Sequence, residues 1–435
     1  MYVSPARIAL ISFILTILVG AVLLSLPVCQ RIPLSFIDTL FTATSATCVT
    51  GLLTISFDSF TTIGHIIILC LIQIGGLGLI TMTVCLMSLF MNIGLSTQLM
   101  AGQLLEIDSL KDIKRTLGFI ICITLVIELI GTIFVYLSLQ NNSPQTIFYA
   151  LFHAIASFCN GGATLLGNNH LYGFQDNLLL LFTSTILIFA GSMGFISLKE
   201  LISFFISRKT KKLSLQTKLT LYSLAALITA NFLTFWFLES HAVFEGMSLL
   251  QKVINCLFHA INSRGCGFDM LPMHLLNKAT VLMIMIVAFI GSAPGSTGSG
   301  IKTTTFSIFL ATIRSVLTGR PSVEIFRRRI AHDQIFKAMA VIALSISWII
   351  IVTFIVLILE PEFSFMAIAF EVVSAFATLG LSLGITPLLG FASKFLIITT
   401  MIIGRIGSLT VLFALKYNRQ RQQEFSYPEE RVMIS

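Results

Sequence analysis

Charge is scarce in this sequence. Asp, Glu, Lys and Arg make up 11% of its 435 residues and hydrophobic residues 56%, against about 25% charged residues in a soluble domain. So little charge cannot clothe a soluble fold, and lipid is the expected solvent. None of the eight cysteines forms a CxxC pair, which removes the usual zinc signatures. Most lie in apolar runs, where cysteine behaves as a small hydrophobe. No G-x-G-x-x-G fingerprint follows a strand pattern, and no nucleophile–base set or metal cluster marks a catalytic centre. The chain is therefore expected to be no enzyme and to carry no organic cofactor. The first apolar run, 8–28, lacks a small-residue cleavage site; Gln30, Arg31 and Pro33 follow it. It reads as a retained helix rather than a signal peptide.

What the sequence does hold is apolar length. Runs lie at 8–28, 62–90, 117–139, 178–206, 219–238, 279–313, 338–359 and 395–415, and about 20 apolar residues span a bilayer. Paired, they bracket four short segments that resemble one another: FTATSATCVTG (41–51), FHAIASFCNGG (152–162), FHAINSRGCG (258–267) and FEVVSAFATLG (370–380). Each opens on Phe and closes on Gly, and the opening Phe residues recur at intervals of 111, 106 and 112. A period this regular indicates internal duplication. The expected fold is all-α and integral to the membrane, with eight transmembrane helices in four helix–pore-loop–helix repeats around one pseudo-four-fold pore. The repeats are drawn at 1–105, 106–212, 213–328 and 329–421, with a tail at 422–435.

Lys and Arg crowd the linkers between repeats: Lys111, Lys114 and Arg115, then Arg208, Lys209, Lys211, Lys212 and Lys218, then Arg314, Arg320, Arg327, Arg328, Arg329 and Lys337. Lys416, Arg419 and Arg421 follow the last run. The positive-inside rule places these linkers and both termini in the cytoplasm, so all four short segments enter from outside. Basic runs set between apolar spans make nucleic acid a poor partner and membrane lipid the expected one. A short helix entering the membrane points its C-terminal dipole inward, which favours a cation there. Gly51, Gly162, Gly267 and Gly380 end the strands that follow, and glycine permits backbone angles that turn carbonyls toward an axis. Four such strands form rings of carbonyl oxygens that replace a cation's hydration shell.

With these segments in view, TSATCVTGL followed by IQIGGLGLITM resembles the first repeat of the Ktr/Trk/HKT superfamily of potassium transporters. SFCNGG, SRGCGF and FATLGLSLGIT resemble its second, third and fourth repeats, and GSAPGSTGSGIKTTTF and IIGRIGSLT two further family motifs. Eight helices without an extra N-terminal pair look most like the KtrB-type membrane subunit. The resemblance implies a potassium-uptake subunit of the cell membrane, stimulated by sodium, acting as a homodimer with one pore per protomer. It also implies a cytosolic ring of KtrA-type nucleotide-binding subunits, since no regulatory domain fits in this chain. Carried over residue by residue, the filter comprises Thr47, Cys48, Val49, Thr50 and Gly51; Cys159, Asn160, Gly161 and Gly162; Gly265, Cys266 and Gly267; and Ala377, Thr378, Leu379 and Gly380. Potassium is the only metal expected, at these residues. In the superfamily a Ser at the first filter glycine goes with sodium preference, so Gly51 argues for potassium. Two departures, Ala163 for a bulky apolar residue and Gly265-Cys266 for Thr-Ala, loosen the expected selectivity.

Below the filter, Gly75 and Gly78, Gly191 and Gly194, and Gly404 and Gly407 form Gly-x-x-Gly pairs. The third repeat instead reads Gly291-Ser-Ala-Pro-Gly-Ser-Thr-Gly-Ser-Gly-Ile-Lys302, which cannot sustain a helix. The helix is expected to open near mid-membrane and re-form around Thr303, and broken backbone at that depth indicates a cavity. GSTGSGIKT is not a phosphate-binding loop, because Ile301 displaces Lys302 by one position and no strand precedes it. Arg405 follows Gly404 at the matching depth, and an intramembrane arginine faces the protein interior. The loop residues Ala293, Pro294, Gly295, Ser296, Thr297, Gly298, Ser299, Gly300 and Lys302 are expected to obstruct the pore, held by Arg405. Glu128 is a further intramembrane candidate. His153, His259, Glu371 and Arg264 read as packing or bracing residues. The competing reading is a sodium–potassium symporter working by alternating access, which also uses repeats and broken helices.

Overall fold

A computed structural model describes residues 5–77, 110–139, 143–167, 171–207, 213–408 and 410–411. The expectations placed on Gly78, Lys111, Lys114, Arg115, Arg208, Lys209, Lys211, Lys212, Lys416, Arg419, Arg421 and the tail lie outside the described residues or on side chains outside them. The first unit runs α1 (Pro5–Leu24), α2 (Phe36–Cys48) and α3 (Thr62–Gly76). The second runs α4 (Leu110–Ser138), α5 (Pro144–Cys159), α6 (Leu178–Ser192) and α7 (Phe195–Ile202). The third holds α8 (Leu215–Glu239), α9 (Leu249–Gly265), α10 (Lys278–Ile290) and α11 (Thr303–Leu317), and the fourth α12 (His332–Leu359), α13 (Phe365–Ala377) and α14 (Phe391–Ile406).

Among the described residues, three helices are long and apolar enough to cross a membrane: Thr116–Ser138, Leu215–Glu239 and His332–Leu359. The 178–206 run is not one straight helix. It bends by 105° between Leu178–Ser192 and Phe195–Phe205, where Gly194 adopts φ 83°. The 279–313 run is likewise divided, ending at Ile290 and resuming at Thr303. A hairpin, β1 (Glu324–Ile325) against β2 (Arg328–Arg329), departs from the all-helical expectation. It is fixed by an adjacent left-handed pair, Phe326 and Arg327, and by packing of Val323 and Ile330 with Ile335.

The four short helices α2, α5, α9 and α13 begin five to nine residues before the opening Phe of each segment and end before its closing Gly. Each starts at a serine whose side chain accepts a backbone N–H of the first turn: Ser35, Ser143, Ser248 and Ser364. Ser248 and Gln251 complete a reciprocal capping box. Each cap contributes about 1 kcal/mol. The packing order closes on itself. Helix α3 packs on α5, α6 on α9, α10 on α13, and α14 back on α2.

An ion pair supports the last closure. Lys394 of α14 lies 2.8 Å from Asp38 in the first turn of α2, with both side chains largely covered. Partial burial pushes the Asp38 carboxyl up, but hydrogen bonds from Lys394 and Ser35 outweigh it and hold its pKa below the usual carboxylate value. A depressed folded pKa contributes stability that is present above the unfolded value, about 3.9, and is lost as pH falls through the folded one. Lys394→Ala is therefore expected to lower the thermal midpoint at pH 7, by about 1 kcal/mol of stability. The gap to wild type is expected to close in scans below about pH 4. A gap that persists unchanged there would assign the loss to packing alone.

Candidate functional site

The inner ends of α2, α5 and α13 finish alike. Val49, Asn160 and Thr378 follow the last helical residue in left-handed conformation, at φ 57°, 61° and 49°. The next N–H then reaches back to the helix, Thr50 to Ser45 O and Leu379 to Ser374 O at 2.8 Å, Gly161 to Ala156 O at 2.7 Å. For Val and Thr this region is strained. The third segment, one residue shorter, ends differently. Cys266 stays right-handed at φ −110°, and Gly267 N reaches Asn262 O at 3.0 Å.

Gly51, Gly162, Gly267 and Gly380 all hold positive φ, between 59° and 95°. Each lies against the backbone of another of the four strands. A Cβ on Gly51 would sit 2.8 Å from Gly161 O, on Gly162 2.2 Å from Cys266 O, on Gly267 1.7 Å from Leu379 O, and on Gly380 2.2 Å from Thr50 O. The contacts run first to second, second to third, third to fourth and fourth to first. A side chain at any of the four positions would have to displace the neighbouring strand.

The side chains assigned to the filter differ in their surroundings. Thr47 Oγ1 donates to Ala43 O. Thr50 Oγ1 is buried with no partner among the described residues. Cys48, Cys159 and Cys266 are buried free thiols. Cys159 faces away from the strands, with Sγ 3.7 Å from Gln73 Oε1 and 3.8 Å from Glu128 Oε1. Ala377 is the last residue of α13. Three bracing groups were not singled out from sequence. Ser45 Oγ accepts Gly51 N at 3.0 Å and Ser374 Oγ accepts Gly380 N at 3.1 Å, while Asn262 exchanges 2.8 Å bonds with the backbone of Phe268. All three stand four residues after the opening Phe. That matched position was the available signal.

Beneath the strands, a Cβ on Gly75, Gly191 or Gly404 would collide with Thr47 O, Phe158 O or Phe376 O at 1.8–2.0 Å. Gly291 does not repeat this contact. It ends α10 at φ 55° and lies against Ser299 O and Gly300 of its own loop. The loop is stitched to the second unit: Ala293 N to Ser192 O, Thr297 N to Gly191 O, and Phe195 N to Gly295 O. Asn160 Nδ2 donates to Thr297 Oγ1 at 2.6 Å, and Thr297 Oγ1 to Phe158 O at 3.0 Å. Within the loop Ser296 Oγ donates to Ala293 O and Lys302 Nζ to Gly298 O.

Arg405 reaches across to this loop. Its guanidinium donates to Thr297 O, to Ser299 Oγ at 3.0 Å and to Gly75 O. One side chain of the fourth unit thus joins the third unit's loop to the first unit's helix. The remaining candidates sit further out. Glu128 accepts from the Gln73 amide at 3.1 Å and meets the Cys159 thiol. His153 lies between Thr164 and Ser184 and stacks on Phe268. His259 is enclosed by Phe235, Phe244 and Phe258. Glu371 accepts from Ser382 and Thr386, and Arg264 donates to Ser192 Oγ. No group of three or more metal-ligating side chains occurs among the described residues.

Known proteins resemble this chain in sequence and in fold. Residues 10–424 match the family model described as "TrkH: Cation transport protein". The chain is 35% identical to the Ktr system potassium uptake protein B of Bacillus subtilis, over 99% of this chain and 96% of that protein. It is 32% identical to the potassium/sodium uptake protein NtpJ of Enterococcus hirae, over 99% and 97%. Its fold is similar to the crystal structure of the potassium transporter TrkH from Vibrio parahaemolyticus, with a TM-score of 0.72 at 16% identity, covering 94% of this chain and 83% of that one. The chain belongs to the TrkH family of cation transport proteins.

Proposed function

We propose that this protein is the ion-translocating membrane subunit of a Ktr-type potassium uptake system. The observation that carries the reading is the cyclic set of glycine contacts, in which each of four positive-φ glycines lies against a neighbouring strand's carbonyl or backbone. Four strands so arranged around an axis offer carbonyl oxygens in place of a hydration shell, and potassium is the cargo they suit. Four repeats, with boundaries near 105, 212 and 328, each give one outer-entering short helix and one filter strand. Transport is channel-like, and the loop at 291–302 with Arg405 forms the gate. Sodium stimulates uptake, the working form is a homodimer in the cell membrane with both termini cytoplasmic, and a KtrA-type nucleotide-binding ring docks on the basic inner face. The names of the Bacillus and Enterococcus relatives support the potassium reading.

The test is uptake in cells stripped of their own potassium transporters. Expression of this chain with a KtrA-type partner is expected to restore growth at low potassium and to give potassium uptake that sodium raises. Membrane-inserted protein that leaves growth and uptake at the background level would overturn the assignment.

A further inference from the structure

The four segments also differ at the residue that follows the filter glycine. The residue directly after the filter glycine is Leu52, Ala163, Phe268 and Leu381 in the four segments. Three of these are bulky and fill the space behind their strands. Leu52 shares a buried cluster with Ile368, Val372 and Ala375 of α13. Phe268 stacks on His153 of α5, with ring centres 4.7 Å apart. Leu381 lies in a cluster with Cys256 of α9. Phe268 thus meets the short helix of the preceding unit directly, and Leu52 and Leu381 share buried clusters with theirs. Ala163 faces α2 in the same manner, but a methyl group cannot fill that space.

A cavity of about 10 Å³ lies beside Ala163, lined also by Gly161 and Gly51 and by Thr42, Ser45 and Ala46 of α2. That volume is at the lower limit for one water, and a water also needs two or more polar partners. The hydroxyls here are engaged: Thr42 donates to Asp38 O, and Ser45 accepts Gly51 N. The lining is mostly apolar, and atoms that face the space forfeit contact on one side. The second segment lacks a brace as well. Where the others carry Ser45, Asn262 and Ser374, it has Ala156, whose side chain offers the strand no hydrogen bond.

We propose that Ala163 is a selectivity-determining residue: the void it leaves between the first and second strands makes the filter compliant there and lets it close around ions smaller than potassium. This rests on the filter reading above. A strand with packed support on its outer side resists the inward shift that a smaller ion requires. One that backs onto a void does not.

The test compares potassium and sodium uptake in transporter-deficient cells for wild type, Ala163→Val, Ala163→Leu, Leu52→Ala and Gly51→Ser, with membrane abundance measured for each. Filling the void is expected to raise the potassium-to-sodium preference by about five-fold, and Leu52→Ala, which opens an equivalent void, to lower it by a similar factor. Ala163→Val adds only two methyl groups and decides the matter if the leucine variant fails to insert. An unchanged preference in the Ala163 variants, with Gly51→Ser altering it, overturns this inference and leaves the filter standing. No change in any variant overturns both.

Discussion

Arg405→Ala is expected to raise cation flux by about ten-fold or more, and deletion of 295–300 to raise it further. The guanidinium makes three bonds that hold the loop across the interior, to Thr297 O, Ser299 Oγ and Gly75 O. A hydrogen bond from a charged donor is worth about 1.5–3 kcal/mol, and about 1.4 kcal/mol corresponds to a factor of ten in the closed-to-open ratio. On the proposed reading, losing the charge acts in the same direction, because a cation below the filter would repel the transported ion. Lysine cannot replace the arginine, since a single ammonium does not span three acceptors in a planar fork. Arg405→Lys is therefore expected to behave more like alanine than like wild type. Tracer efflux from vesicles, normalised to inserted protein, reads the effect. Unchanged or lower flux in a folded variant would remove the loop from the gate.

The loop would still not swing freely in such a variant. Backbone bonds from Ala293 and Thr297 to Ser192 and Gly191, and the Asn160–Thr297 side-chain bond, remain. The second unit is thus the loop's bed and the fourth its clasp. This division explains why deletion is expected to exceed the point substitution.

Much of this was legible in the sequence because it depends on local chemistry repeated at a fixed interval. Glycine at a matched position in four segments marks a backbone that disfavours a side chain, and the positive φ of Gly51, Gly162, Gly267 and Gly380 with a neighbouring strand against each is the physical reason. The interruption after Gly291 was legible for the same reason: Pro294 and three glycines, at 295, 298 and 300, cannot hold a helix. What could not be read was set by contacts between residues far apart. Asn160 meets Thr297 across 137 positions and Arg405 meets Gly75 across 330. The bend at Gly194 exists because its unit packs around the loop: Phe195 N binds Gly295 O directly after the turn. The one-residue deletion in the third segment was visible, but its consequence, a right-handed Cys266 in place of a left-handed residue, was not. The serine caps were visible too, but at unequal distances before the opening Phe they fell outside the repeat pattern.

The four glycine strands remain the centre of the account, and Gly51 tests them most directly. Its φ of 94° disfavours any side chain, and a Cβ there would stand 2.8 Å from Gly161 O and 3.2 Å from the Gly162 Cα. Serine must displace the second strand's Gly161 carbonyl, which on the proposed reading faces the ion. A ring displaced at one strand coordinates the larger, weakly hydrated ion less completely. The decisive measurement is the potassium-to-sodium uptake ratio in transporter-deficient cells, wild type beside Gly51→Ser at matched membrane abundance. The account expects potassium preference in wild type and a ratio at least about ten-fold lower, shifted toward sodium, in the variant; equal ratios in the two proteins would contradict it.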